Sequence, residues 1–284
     1  MQRRFRQVST PRPFRQVDVF GTEPYTGNPV AVVLEGEGLS DEEMQRFANW
    51  TNLSETTFVL PPRDPEADYR LRIFTPDSEL PFAGHPTLGS AHAWLEAGGA
   101  PRRPRKVLQE CGAGLIELRP TADRLSFAAP PLVRSGPVED GLVDSIAGML
   151  EIERASIVDS QWVDNGPGWV AVLLPTASDV LAARPTLVTL PVGVVGPYRE
   201  GGPAAFEVRA FVPFGNVTVE DPVTGSLNAS LAQWLLGTGR IEAPYVVSQG
   251  TALGRAGRVF IEEHEGQVWV GGATVTAVTG TVEL

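Results

Sequence analysis

Apolar positions along the chain fall into short runs, and the clearest of these come in matched pairs. Val30–Leu34 is a continuous apolar run of the kind a strand buried on both faces needs, and Val170–Leu174 is a second. Each follows a strand-like segment and a Gly/Pro-rich loop: Val17–Phe20 and Gly21–Pro29 before the first, Gln161–Asp164 and its loop before the second. The stretch Arg72–Trp94 also has a counterpart. Aligned without gaps to the segment that begins at Arg209, an offset of 137, it matches Arg72 to Arg209, Phe74 to Phe211, Pro76 to Pro213 and Thr87 to Thr224. Each copy reads as a short strand, a loop, and a turn of small residues that opens an apolar helix. The turn is Gly84–Thr87 in the first copy and Asp221–Ser226 in the second.

The two helices behind these turns, Leu88–Leu95 and Leu227–Leu236, have few charges and no broad polar face. A helix enclosed by sheet on every side needs that composition. A core helix with Pro near its first turn would read the same way in either copy alone, but the pair together favours enclosure. The pattern predicts an α+β fold of two pseudo-symmetric domains, each a curved mixed β-sheet around a central helix. The helix N-termini then face one cleft, where unpaired N–H groups and two dipole ends make an anion site.

The rest of the chain fits around this repeat. Residues 1–13 are rich in arginine and lack acids, which predicts a disordered extension; a transit peptide would share the composition. The first domain is expected over 14–132 and the second over 133–272, with the alternating run 273–284 crossing back to complete the first. Ser40 with Glu43 has the pattern of a capping box and starts a helix to about Trp50. A hairpin is expected over Val107–Arg119, a strand over Arg124–Phe127, and a linker around Pro130–Pro137. Helices follow at Asp140–Leu150 and Thr176–Ala183, and strands at Tyr245–Ser248, Arg258–Glu262 and Gln267–Gly271.

Composition narrows the chemistry. A net charge of −11 argues against nucleic acid as a partner. No apolar run approaches a membrane span and no signal-peptide pattern opens the chain, so the expected location is the cytoplasm. Lys106, the single lysine, lies in a basic loop and reads as solvated, which leaves no buried lysine for a pyridoxal Schiff base. Cys111 is the single cysteine, so two-thiol chemistry is impossible, and its hairpin position reads as structural.

Of three histidines, His264 reads as a solvated turn and His92 as a satisfied helix residue. His85 differs, because the turn between Gly84 and Pro86 would aim its ring at a ligand. Glu55, at the mouth of the strand Thr56–Leu60, is a candidate acid/base. No metal-ligand spacing and no dinucleotide or Walker motif is present, so neither metal nor cofactor is expected. Glu55, His85 and Asp221 near two helix N-termini suit proton transfer between carbons of a small anionic carboxylic acid, with the developing enolate held by N–H groups. Ser54, Gly84, Thr87, Gly225 and Ser226 are the expected substrate-binding positions. Hydrolysis lacks a GxSxG elbow. A non-catalytic metabolite-binding protein with the same cleft is the alternative.

The strings VDVFGTEPYTGNPVAVVL, NLSETTFVL, FAGHPTLGSAHA and VEDPVTGSLNASLA resemble the PhzF family of phenazine-biosynthesis-type isomerases. The resemblance runs from about Val17 to the C-terminus. It implies the diaminopimelate epimerase fold, a site between two domains, a homodimer, Glu55 as the proton-shuttling residue, and His85 and Asp221 as its partners. It also implies that Gly84 and Asp221 stand where related epimerases and racemases carry catalytic cysteines. The family is broad, so the match does not imply phenazine-precursor isomerisation.

Overall fold

The computed structural model describes Thr10 to Leu284. The expectation of a disordered extension falls outside the described residues for 1–9, and from Pro11 onward it is wrong. Pro11–Val19 is the first strand, with Pro11 opposite Glu283. Proline is tolerated where a strand begins, and Arg12, read as disorder-promoting, donates its guanidinium to the carbonyls of Glu35 and Glu37.

The first half comprises β1 (Pro11–Val19), β2 (Asn28–Val33), α1 (Asp41–Thr51), β3 (Thr56–Leu60), β4 (Tyr69–Phe74), β5 (Glu79–Leu80), α2 (Gly84–Glu96), β6 (Val107–Cys111), β7 (Gly114–Pro120) and β8 (Leu125–Ala128). The second comprises β9 (Arg134–Pro137), α3 (Asp140–Leu150), β10 (Asp159–Asp164), β11 (Val170–Leu173), α4 (Ala177–Ala182), β12 (Val192–Pro197), β13 (Phe206–Phe214), β14 (Val217–Asp221), α5 (Gly225–Gly237), β15 (Tyr245–Gln249), β16 (Gly257–His264) and β17 (Gln267–Gly272). A last strand, β18 (Thr274–Glu283), returns to pair with β1.

The pairing order repeats. In the first half it runs β18, β1, β2, β3, β4, β6, β7, β8, with β5 also on β4. In the second it runs β9, β10, β11, β12, β13, β15, β16, β17, with β14 also on β13. The parallel pairs fall at the same places, β2–β3 and β4–β6 against β11–β12 and β13–β15. An antiparallel β8–β17 pair joins the halves. The expected Pro130–Pro137 linker is thus shorter than read, because Arg134–Pro137 pairs with β10.

Each sheet curls around one helix. Every residue from Gly84 to Ala91 of α2 is buried, more than two full turns, so no face meets water. In α5 the run Leu227–Ala232 is buried in the same way. Amphipathic α1 instead lies outside, started by the Ser40–Glu43 capping box.

The 137-residue offset holds only up to the strands. Arg72 of β4 binds Glu79 through two N–H groups, and Arg209 of β13 binds Glu220 likewise. Glu79 follows Arg72 by seven residues and Glu220 follows Arg209 by eleven, so the second hairpin is four residues longer. Beyond it the offset is 141, and Gly84 corresponds to Gly225 rather than to Asp221. Thr87 therefore corresponds to Asn228, and its match to Thr224 was coincidental. Lys106 is paired with Glu117 rather than solvated.

Candidate active site

The N-termini of α2 and α5 meet head to head. A Cβ on Gly84 would stand 3.1 Å from Gly225 Cα and 2.7 Å from Phe127 Cζ, and one on Gly225 would stand 3.0 Å from Gly84 Cα. Only glycine permits this approach at either position. The first amides of a helix have no carbonyl partner within it, so the two ends together offer a patch of N–H groups and two positive dipole ends.

Around this junction the fold gathers Glu55, His85 and Asp221. Glu55 directly precedes β3, and its carbonyl accepts from Ala31 N in the adjoining β2. His85 is the second residue of α2, and Asp221 ends β14. Glu55 Oε2 lies 3.3 Å from His85 Nε2. Both atoms are buried, and neither has a hydrogen-bond partner. Two unpaired polar atoms facing each other in a buried cleft are costly unless a ligand or a proton shift satisfies them.

Asn28, fully buried at the start of β2, connects the other two groups. Its Nδ2 donates to Asp221 Oδ1 at 2.9 Å and to Val223 O at 3.0 Å, and lies 3.3 Å from His85 Nδ1. An amide has two hydrogens, and the two shorter contacts use them. With neither hydrogen left for His85 Nδ1, and with the Pro29 carbonyl a partner of the imidazole, we assign the ring hydrogen to Nδ1, which leaves Nε2 bare. Asp18, also buried, holds the preceding loop by accepting from Thr26 N and Gly27 N at 2.8 Å each.

Burial sets the protonation states. Desolvation, then the charge of Asp221, pushes the Glu55 carboxyl up from 4.5 to about 8. Desolvation raises Asp221 to about 6, while hydrogen bonds from Thr224 and Asn28 pull it back. Desolvation lowers His85 to about 3. At neutral pH Glu55 thus carries a proton, Asp221 is an anion and His85 is a neutral imidazole. The Glu55–His85 contact is accordingly not an ion pair.

The expected binding positions divide. Gly84 and Gly225 form the junction itself. Ser226, half-buried, accepts from Trp169 Nε1 on its hydroxyl at 3.1 Å and from Asn165 on its carbonyl at 2.9 Å. Ser54 is exposed beside Glu55 in the chain. Thr87 is engaged within the fold. It is fully buried, and its hydroxyl accepts from Gln109 Nε2 at 3.1 Å, which ties α2 to β6. Two residues at the site, Asn28 and Gln249, escaped sequence reasoning, and Thr224 was read only as part of the second turn. Asn28 stood in a Thr-Gly-Asn-Pro turn before a buried strand, a readable signal. Gln249 had none locally.

Two surface depressions of about 660 and 560 Å³ lie elsewhere, beside α1, and neither is lined by Glu55, His85 or Asp221. Those three residues do not form a metal-ligating group. Among the described residues, no helix is long and apolar enough to cross a membrane.

The sequence and the fold have counterparts among known proteins. The family described as phenazine biosynthesis-like protein matches residues 17–280. Antisense-enhancing sequence 1 of Schizosaccharomyces pombe is 36% identical, over 95% of this chain and 98% of that protein. The trans-2,3-dihydro-3-hydroxyanthranilate isomerase of Pseudomonas fluorescens is 35% identical, over 94% and 98%. In structure, the PhzF-family phenazine biosynthesis protein of Bacillus anthracis superposes with a TM-score of 0.82 at 21% identity, covering 97% of this chain and 100% of that one.

Proposed function

We propose, since this chain belongs to the phenazine biosynthesis-like family and is an isomerase, that it moves a proton between two carbons of a small carboxylic acid without a cofactor. The observation that carries the reading is the buried Glu55 carboxyl, facing an unpartnered imidazole nitrogen beside two abutting helix N-termini.

The substrate carboxylate binds at the amides of the α2 and α5 ends, which hold it without a cationic side chain. Ionised Glu55, roughly one molecule in ten at pH 7 for a group that titrates near 8, takes a proton from a carbon conjugated to that carboxylate. The electron pair left behind spreads onto the carboxylate, where the N–H groups stabilise it. Glu55, now protonated, returns the proton to a second carbon of the conjugated system. One C–H bond is broken and another formed, with no net change in redox state. Neutral His85 orients the Glu55 carboxyl, and the Asp221 anion strengthens it as a base.

The Pseudomonas relatives name a first compound to try, trans-2,3-dihydro-3-hydroxyanthranilate. Followed by NMR in deuterated water, it or another conjugated acid that raises the melting temperature should gain one solvent deuteron at carbon. Glu55→Gln should bind it and exchange at least a hundredfold more slowly, the lower end of general acid/base contributions. Undiminished exchange in that variant removes Glu55 from the mechanism. Binding of acids with no exchange in the unaltered protein overturns proton transfer and favours a binding protein.

A further inference from the structure

A single buried amide governs the Asp221 side of the cleft. Gln249, at the end of β15, is fully buried. Its Oε1 accepts from Thr224 N at 3.0 Å and Asn228 Nδ2 at 2.8 Å, and its Nε2 donates to Asp221 O at 3.1 Å and Thr224 Oγ1 at 3.0 Å. The amide can be placed only this way round. Thr224 N–H can only donate and the Asp221 carbonyl can only accept, so reversing the amide would set donor against donor and acceptor against acceptor.

That orientation propagates. Gln249 occupies a lone pair of the Thr224 hydroxyl, and the hydroxyl's one hydrogen points to Asp221 Oδ2 at 2.5 Å. Were the Asp221 carboxyl to carry a proton on that oxygen, the hydroxyl hydrogen would lose its acceptor in a buried setting. The other oxygen, Oδ1, already receives the Asn28 amide, whose own direction is fixed by the Val223 carbonyl. Both carboxylate oxygens are met by donors.

We infer that Gln249 is a positioning residue for the reaction: by fixing the direction of the Thr224 hydroxyl it keeps Asp221 the anion of the carboxyl pair and Glu55 the stronger base of the two. The inference rests on the proton-transfer reading for its consequence, although its test needs no substrate. The charged and titratable groups around Asp221 are Glu55 before β3, His85 on α2, and Glu220 on β14, the last neutralised by Arg209 of β13. Among the described residues, only Thr224 and Asn28 donate to its carboxylate.

The first half supplies an internal control. Gln109 of β6 is equally buried and holds Thr87 of α2 and the Tyr69 hydroxyl, away from any carboxylate of the cleft. The ligand-free protein is labelled with aspartate carrying ¹³C at the carboxyl carbon. The Asp221 signal, assigned by its loss in Asp221→Asn, is then titrated by NMR. The expected result is an upward move of the Asp221 midpoint by about one pH unit or more in Gln249→Met and in Thr224→Val, corresponding to a loss of about 1.4 kcal/mol from the anion. Thr224→Ser, which keeps the hydroxyl, and Gln109→Met, which costs comparable packing, should leave it in place. An unmoved midpoint in Thr224→Val overturns the inference even if Gln249→Met does not fold. So does a move in Gln109→Met equal to that in Gln249→Met, which would mark the effect as general loosening. A failure of carbon exchange would overturn the isomerase mechanism alone and leave these titrations as they are.

Discussion

Glu55→Gln should make the protein more stable, and more so the higher the pH. The unfolded chain releases the Glu55 proton near its usual 4.5, whereas the folded chain holds it to about 8. Between those values the folded state binds more protons than the unfolded one, so stability falls as pH rises. The contribution is full below 4.5 and is lost as pH climbs through the folded value. The slope is about 1.4 kcal/mol per pH unit inside the window, so from pH 5 to pH 8 the wild type loses about 3 kcal/mol through this group. Water drawn in by the ionised carboxylate brings the effect down toward roughly 1 kcal/mol. Glutamine keeps the shape and has no proton to lose, so it escapes the penalty. Urea unfolding of both proteins at pH 5 and pH 8 measures this, provided the dependence on denaturant is the same in each. The stability advantage of Glu55→Gln should grow by about 1 to 3 kcal/mol between the two pH values. An advantage that stays constant to within about 0.5 kcal/mol would show that Glu55 does not titrate abnormally, and the proton inventory of the cleft would have to be rebuilt.

Other outcomes follow from the same geometry. Asp221→Asn removes the second cause of the raised Glu55 value, so the pH at which carbon exchange reaches half its maximum should fall below about 8; a midpoint that rises refutes the coupling. Gly84→Ala should cost about 1–3 kcal/mol by overpacking, because its Cβ would meet Phe127 and Gly225, and wild-type stability in urea would show the helix ends to be farther apart. Thr87→Val leaves the Gln109 amide without its acceptor, at about 1–3 kcal/mol of stability, with unchanged affinity for any acid the wild type binds. Loss of affinity there would return Thr87 to the binding site.

The two central helices were legible because enclosure leaves a composition that solvent-facing helices do not have: α2 and α5 lack a polar face, and each follows a turn of small residues. The capping box at Ser40 and the apolar pairs Val30–Leu34 and Val170–Leu174 carried local physics of the same kind. The strand at Pro11–Pro13 was hidden because its stability comes from β18, over 260 residues away, and from backbone carbonyls that cap Arg12. Gapless matching could not see the four-residue extension between β13 and β14, so it equated Gly84 with Asp221.

The corrected equivalence changes what the symmetry means for chemistry. With Gly84 and Gly225 as true counterparts, the two halves contribute identical backbone to the junction, and everything chemical at the cleft is a departure from symmetry. The first half supplies Glu55 and His85. The second supplies Asp221, displaced by four residues from the helix start onto the end of its longer hairpin. At the offset of 141 Asp221 stands opposite Leu80, so where the first half carries an apolar side chain the second carries a carboxylate. Asn28 from the first half then bonds it across the seam, so the site exists only when both halves are docked. Asn28→Ala should consequently do two things at once: raise the Asp221 titration midpoint, by removing a donor to the anion, and weaken the docking of the halves, by orphaning the Val223 carbonyl. The measurements are the carboxyl NMR titration and hydrogen exchange at β8 and β17, the strands that join the halves. Faster exchange at β8 and β17 with an unmoved Asp221 would mean that Asn28 is a seam residue only. A moved Asp221 with unchanged exchange would mean that the seam is held by β8–β17 pairing and that Asn28 serves the chemistry.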